Sequence, residues 1–294
     1  MPMNSKTMRP RTFHPEANAW RQAVIANSGT VSGMTMRAVS NFCTAIDNAG
    51  IRSKFLRLNL ICGNNLAAAR VPLYRGASAT GSQYGEKRDT ISGIVGADFS
   101  EATGLTGNGA SKIVYTTLST GTLKDFGLEY NNVHASVYTR GTNHGDVFGG
   151  GDPDGRYYGN YGLLLGAGSG GWWSQDSFSG SNDDRYVAGT DSSSGHKYGQ
   201  DNGSMSYYTN GVNSTGVGSS PGNPASYETL DNTPILFLGR YSNLLIGGVI
   251  EDSIDYATGS MAAYSVGLPL GSDAAITAFY KAMQAFQTAM RRQV

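Results

Sequence analysis

Gly248–Leu270 reads GVIEDSIDYATGSMAAYSVGLPL, and this stretch decides the fold. Ile250, Ser253, Tyr256, Met261, Tyr264 and Val266 stand among small and polar residues, the pattern of two strands joined across Ala257-Thr258-Gly259-Ser260. Gly271-Ser272-Asp273 then opens a segment whose apolar positions are Ile276, Phe279, Tyr280, Met283, Phe286 and Met290. That is helical spacing, with Ser272 or Asp273 as N-cap and Arg291-Arg292 near the negative end of the dipole. A chain of strands and turns thus closes on one amphipathic helix, which needs a flat apolar surface to cover.

The totals agree with a β protein. Gly is 41 of 294 residues, about twice the usual share of roughly 7%, Tyr is 17, and charged residues are 15%. Few charges with abundant Gly, Ser, Asn, Thr and Tyr make turn-rich antiparallel structure. Lys+Arg and Asp+Glu cancel at 22 each, so neither nucleic acid nor an acidic membrane is an expected partner. No run approaches the ~20 apolar residues of a membrane span, so membrane insertion is not expected. The first residues, MPMNSKTMRPRTFHPEANAW, have basic groups but no apolar core, and a secretory signal is not expected there. Cys43 and Cys62 fall in an expected helix and an expected strand without metal-ligand spacing, and read as buried free thiols.

Three parts follow along the chain. Residues 1–15 are polar and broken by Pro2, Pro10 and Pro15; such a segment does not order alone. With Lys6, Arg9, Arg11 and Phe13 it reads as an extended assembly arm, held by its own domain or by a neighbouring chain. Residues 16–75 read as a small helical, α/β anchoring element. It has a helix over Glu16–Ala26 and a second capped by Ser32, carrying Met36, Val39, Phe42, Cys43 and Ile46 and stopped by Gly50. A strand over Phe55–Cys62 and a short element over Leu66–Tyr74 complete it.

From residue 76 to 294 short apolar runs recur between Gly, Asn, Asp and Ser. They are Ile91–Phe99, Lys112–Thr117, Val133–Arg140, Tyr161–Gly166, Arg185–Thr190, Ser204–Thr209, Ile235–Arg240, Leu245–Ile254 and Met261–Val266. That spacing suits a two-sheet antiparallel sandwich or jelly roll, mainly β, ending in the C-terminal helix. The insert between Gly141 and Pro234 is the least core-like part.

Several phrases carry a resemblance. They are Leu105–Lys112 (LTGNGASK) with Tyr115–Leu118 (YTTL), Phe237–Arg240 (FLGR), Ala263–Leu268 (AYSVGL) and Ala278–Ala289 (AFYKAMQAFQTA). Together they resemble the concanavalin A-like lectin/glucanase (laminin-G-like) domains that recur in structural proteins of tailed bacteriophages. The resemblance spans about residues 100–290. It implies a concanavalin A-like jelly-roll sandwich, often glycan-binding and often mounted on a virion.

The glucanases of that superfamily place their acids on one strand as E-x-D-x-x-E, and Glu251-Asp-Ser-Ile-Asp255 departs from that pattern. Glycoside hydrolysis needs carboxyls ~5–5.5 Å or ~6.5–9.5 Å apart. On a strand Glu251 and Asp255 are about 13 Å apart, so no catalytic residue is expected. Asp152 and Asp154 in DPDG are where a calcium ion would be sought, though the same residues serve a Pro-containing turn, and no cofactor is expected.

The candidate glycan surface is Trp172 and Trp173 with Tyr157, Tyr158 and Tyr161, and with Tyr207 and Tyr208 downstream. Rings stack on the C–H faces of sugars, while Asn160, Gln175, Asp183, Asp184 and Arg185 would meet the hydroxyls. The competing reading makes those rings core or subunit interface. The resemblance implies a non-catalytic virion component, tail or head fibre or decoration, assembled in the host cytoplasm. Its partners would be other virion proteins, further copies of itself and host-surface polysaccharide. A decoration or scaffold protein with purely protein contacts and a polysaccharide depolymerase are the alternatives.

Overall fold

The two C-terminal strands form, but they do not pair with each other. The computed structural model describes residues 12–76, 88–119, 122, 132–149, 162–168, 171–177, 185–188, 195–201, 205–214, 234–246 and 249–294. The helices are α1 (Pro15–Ala26), α2 (Gly33–Asn48), α3 (Leu66–Ala69) and α4 (Asp273–Ala289). The first strands are β1 (Phe55–Asn59), β2 (Tyr74–Arg75), β3 (Thr90–Ser92), β4 (Phe99–Ser100), β5 (Gly104–Asn108) and β6 (Ile113–Ser119). Next come β7 (Val133–Gly149), β8 (Gly162–Gly168), β9 (Gly171–Ser177), β10 (Arg185–Ala188), β11 (Gly195–Asp201), β12 (Met205–Thr209) and β13 (Val212–Asn213). The last are β14 (Pro234–Phe237), β15 (Gly239–Ile246), β16 (Val249–Tyr256) and β17 (Thr258–Gly267).

All pairings among the described strands are antiparallel, and β7 organises them. Its first half lies between β11 and β17, with Ser136 opposite both Tyr198 and Ser265. Its second half lies between β8 and β14, with Phe148 opposite Leu165 and Phe237. One 17-residue strand therefore passes from one part of a curled sheet to the other. β17 pairs on its far side with β5 through Ser260–Thr106 and with β1 through Tyr264–Asn59. Ala257 alone separates β16 from β17, and the chain changes sheets there, because β16 pairs with β15 instead. The expected four-residue connection is thus one residue long.

Other expectations shift for local reasons. The single strand expected over Leu245–Ile254 is the end of β15 and the start of β16, which pair with Ile246 opposite Val249. Ile91–Phe99 is broken at Gly93, whose φ is +67, and resumes only as β4. The strand expected to reach Cys62 stops at Asn59, where the Asn59 Oδ1 accepts from the Ile61 N–H at 2.8 Å in place of a ladder partner. The insert after Gly141 carries the rest of β7 and β8 to β13, among them β9 and β11, beyond the strands expected there.

The first half of β7 is buried on both faces, with Val133, Ala135, Val137 and Thr139 on one and His134, Ser136 and Tyr138 on the other. Val133, Ala135 and Val137 join Met261, Tyr264 and Val266 of β17 in one apolar cluster, together with Val114, Phe148, Ile235 and Phe237. Tyr138 on the opposite face joins Phe55, Leu58, Tyr198 and the helices in another. A mainly antiparallel, curled β body with its two parts facing across one core is compatible with the expected sandwich. The element that the sequence sets apart at residues 16–75 contributes β1 to the sheet of β17 and its helices to the second cluster.

Each long helix is delimited by residues visible in the sequence. The Ser32 side chain accepts from the Thr35 N–H at 3.0 Å to start α2, and Gly50 at φ +68 stops it, with the Ile51 N–H bonded to the Ile46 carbonyl. Ser272 caps α4 in the same way through Ala275. Ile276, Phe279, Met283, Phe286 and Met290 are buried between α2 and the sheet, with Phe286 edge-on to Phe42 and Phe279 4.9 Å from Phe55. At roughly 1.5–3 kcal/mol per side chain, this face contributes on the order of 10 kcal/mol before chain entropy. The helix covers its own chain.

Its end differs from the expectation. Arg291 adopts φ 58, so the chain turns back and Arg292 enters the interior instead of meeting the helix dipole from solvent. The fully buried guanidinium donates to the carbonyls of Leu60 at 2.6 Å, Ile61 at 2.9 Å, Ala262 at 3.1 Å and Glu101 at 3.4 Å, and Nε donates to Gln287. All five of its N–H groups are used. Arg292→Met keeps the volume but leaves those carbonyls without donors, at about 1–3 kcal/mol each. Urea unfolding is expected to show a loss of about 4 kcal/mol or more for the four carbonyls; a loss below about 1 kcal/mol would show that the carbonyls are satisfied in some other way.

Candidate functional site

Strand pairing brings part of the expected glycan surface together. β9 lies between β8 and β10, and β10 ends that part of the sheet among the described strands. Trp173 stands opposite Gly166 and Ala188, Trp172 opposite Ala167, Gln175 opposite Leu164 and Tyr186, and Arg185 opposite Asp176. Trp172, Trp173, Gln175 and Arg185 thus occupy two adjacent strands at one sheet end. Successive residues of a strand belong to opposite faces, so Trp173 and Gln175 share one and Trp172 belongs to the other. Tyr157, Tyr158, Asn160, Tyr161, Asp183 and Asp184 lie outside the described residues, as do Asp152, Asp154, Lys6, Arg9 and Arg11.

Two downstream tyrosines leave the candidate surface. Tyr207 and Tyr208 are both buried, one in each core cluster. The Tyr208 hydroxyl donates to Asp273 Oδ1 at 2.7 Å, tying the start of α4 to β12. Of the arm residues, Phe13 is half-buried against the helical cluster of its own chain. Glu251 and Asp255 stand on β16 opposite Leu244 and Arg240.

Polar groups buried inside the sheet were not legible as a site. Asp89 is fully buried and its Oδ2 accepts from Asn59 at 2.8 Å and from the Tyr264 hydroxyl at 2.7 Å. Arg70 Nε reaches the Asp89 carbonyl at 2.9 Å, and Arg57 reaches Thr117 at 2.9 Å. Burial pushes the Asp89 carboxyl up to about 6, against the pull of Arg57 and the two hydrogen bonds. On the other face, His134 Nδ1 bonds the Leu268 carbonyl at 2.7 Å and Nε2 meets Ser265 Oγ at 3.1 Å. Ser265 in turn meets Ser136 at 2.7 Å. Burial lowers the His134 imidazole to about 4, so it is neutral at ordinary pH. These groups fix register and shape; Asn59, Arg57, Asp89, His134, Ser136, Tyr264 and Ser265 are buried, while Arg70 and Thr117 are partly exposed.

Among the described residues one group of three combines donors suited to a metal, His14, Glu16 and Cys43, whose ligand atoms lie within 4.8 Å of one another. Helix packing assembles it: His14 and Glu16 stand at the start of α1 and Cys43 on α2. Also among the described residues, no helix is long and apolar enough to cross a membrane.

Asp89 and His134 titrate in opposite senses. The Asp89 carboxyl is raised from 3.8 to about 6, so its contribution to stability is present below about pH 4 and lost as pH rises through 6. The His134 ring is lowered from 6.5 to about 4, so its contribution is present above 6.5 and lost as pH falls through 4. At about 1.4 kcal/mol per pH unit, each is worth on the order of 3 kcal/mol, and the two offset across the same window. Asp89→Asn is therefore expected to become more stable by about 3 kcal/mol, relative to the parent, between pH 4 and 6.5. His134→Gln, which keeps a donor and an acceptor, is expected to drift the other way. Parallel stability curves for all three proteins, measured by urea unfolding at stepped pH, would contradict this.

The chain matches no protein-family model and no curated protein.

Proposed function

We propose that the chain is a non-catalytic structural component of a tailed-phage virion, in a tail or head fibre or decoration. On this reading it displays a concanavalin A-like jelly-roll sandwich that binds surface glycans or neighbouring virion proteins. The observation that carries the glycan reading is the pairing of β9 with β8 and β10. It gathers Trp172, Trp173, Gln175 and Arg185 at neighbouring register positions at the end of a sheet. Sugar recognition needs flat apolar faces beside hydrogen-bonding groups, and tryptophans beside Gln and Arg supply both chemistries. The curled antiparallel body and the helix over it support the fold that the sequence phrases imply.

Binding in this reading is weak per site and gains strength from repeated copies on one particle. The segment before Phe13 would join copies to one another or to the particle. Phe13, which follows it, rests on the helical cluster.

The test pairs a glycan array with light scattering on the full chain and on a chain lacking residues 1–11. The expected result is an oligomer that retains host-surface polysaccharide. Because the two tryptophans belong to opposite faces, one of Trp172→Ala and Trp173→Ala, and not both, should weaken retention by roughly tenfold or more, as for a truncated aromatic anchor, with the far-ultraviolet dichroism unchanged. An oligomer that retains no glycan would replace the lectin reading with a purely protein-binding decoration. Release of reducing sugar that depends on Glu251 would replace it with a depolymerase.

A further inference from the structure

We propose that His14, Glu16 and Cys43 form a binding site for one thiophilic divalent cation of the zinc type, which clasps the root of the N-terminal segment to α2.

The three ligand atoms lie within 4.8 Å of one another. A tetrahedral zinc ion, with bonds of about 2.0–2.3 Å, holds its donors roughly 3.4–3.7 Å apart, so the cluster closes on the ion by about 1 Å. Imidazole nitrogen, carboxylate oxygen and thiolate sulfur are the three donor types that zinc accepts from proteins.

The carboxylate supplies an independent pointer to a ligand. Glu16 is only 8% exposed. Its Oε1 accepts from Arg52 Nε at 2.6 Å, while Oε2, equally buried, has no hydrogen-bond partner. A buried carboxylate oxygen without a donor is costly, and a cation removes that cost.

The imidazole is also arranged as a metal ligand would be. His14 Nε2 is 2.9 Å from Asp47 Oδ2, and the backbone N–H of His14 donates to Ser40 Oγ at 2.9 Å. A carboxylate on one ring nitrogen fixes the tautomer that leaves the other nitrogen free to ligate. Here that other nitrogen, Nδ1, now accepts only the long 3.3 Å bond from the Glu16 N–H.

Charge closes the argument. A doubly charged cation with one thiolate, one carboxylate and one neutral imidazole is neutral as a unit. The groups around it cancel as well: Asp47 is negative, and Arg52, stacked 3.8 Å over the Tyr74 ring, is positive. Zinc binds the thiolate and not the thiol, so each ion bound near neutral pH should release about one proton.

His14 follows Phe13 in the chain, so an ion there would link the start of α1 to α2. The full chain, stripped with a chelator, is titrated with Co²⁺ as a spectroscopic probe and then with Zn²⁺ by calorimetry. The expected result is one equivalent of cobalt with a thiolate-to-cobalt charge-transfer band, displaced by zinc, and about one proton released per ion. Cys43→Ala should abolish the band, and Glu16→Gln, which keeps the bond to Arg52, should weaken zinc binding about tenfold or more. Dichroism confirms that each variant is folded; should Cys43→Ala fail to fold, the Glu16→Gln comparison decides. Folded protein that takes up no cobalt, cobalt bound without a thiolate band, or zinc affinity unchanged in Glu16→Gln would each overturn the site.

Discussion

The Arg292 guanidinium is the tie on which the arrangement of layers depends. It is a buried positive charge with no carboxylate bonded to it, held by carbonyls from the end of β1, from β17 and from the turn at Glu101. Burial lowers it to about 10, so it stays protonated throughout the ordinary pH range. Carbonyl dipoles replace water one for one, which makes so deep a charge tolerable. Because its partners come from three separate parts of the chain, the helix end, β1 and β17 must be in place together for any of them to be satisfied. Glu101 extends the tie: its Oε1 accepts from Thr35 at 2.7 Å and from the Gly63 N–H at 3.0 Å, joining the start of α2 to the same corner.

Burial on both faces sets the second condition. Residues Val133–Thr139 of β7 and Met261–Gly267 of β17 are all buried, so each polar side chain among them must find a partner inside the protein. His134, Ser136 and Ser265 find one another across the β7–β17 pair, where Ser136 stands opposite Ser265. A slip of one residue would orphan all three while exchanging the two apolar faces, so the polar ladder and the apolar alternation specify the same register. On the helix side, Tyr198 accepts from the Leu270 N–H at 3.1 Å and Tyr208 meets Asp273. The tyrosines of β11 and β12 thereby guide the chain from the sheet into α4. Gly104 shows how tight this packing is: at φ +83, a Cβ there would lie 2.1 Å from the Met261 carbonyl oxygen.

Legibility in the sequence followed burial. α2 and α4 were readable because one-sided burial writes a clear period, and Ser32, Gly50 and Ser272 punctuate it; the start of β7 and β17 were readable because one of their two buried faces is mainly apolar and the other mixes polar and aromatic residues. β9 and β11 were missed for the opposite reason: GWWSQDS and GHKYGQD are rich in Gly and polar residues, and backbone pairing does not require apolar side chains. Of the β11 side chains described, His196, Tyr198 and Gln200 are buried, and in sequence they look like a loop. Arg292 resembled an ordinary helix-end cation because nothing local shows that Arg291 turns the chain inward. His14, Glu16 and Cys43 carry no ligand spacing, since only the packing of α1 on α2 brings them together. At the candidate surface, residue types pointed to Trp172, Trp173, Gln175 and Arg185, but only pairing shows that they occupy neighbouring strands.

The central claim is that the helical layer and the curled sheet are one cooperative structure, closed by a buried arginine. Native-state hydrogen exchange, read residue by residue in low denaturant, tests it most directly. The account predicts that amides of Phe279–Phe286 in α4 and of Tyr264–Val266 in β17 open with the same free energy and the same denaturant dependence, as members of one unfolding unit. A helix whose amides open with about 2 kcal/mol less free energy than those of the sheet would show that it is a separable cover, and would contradict the account.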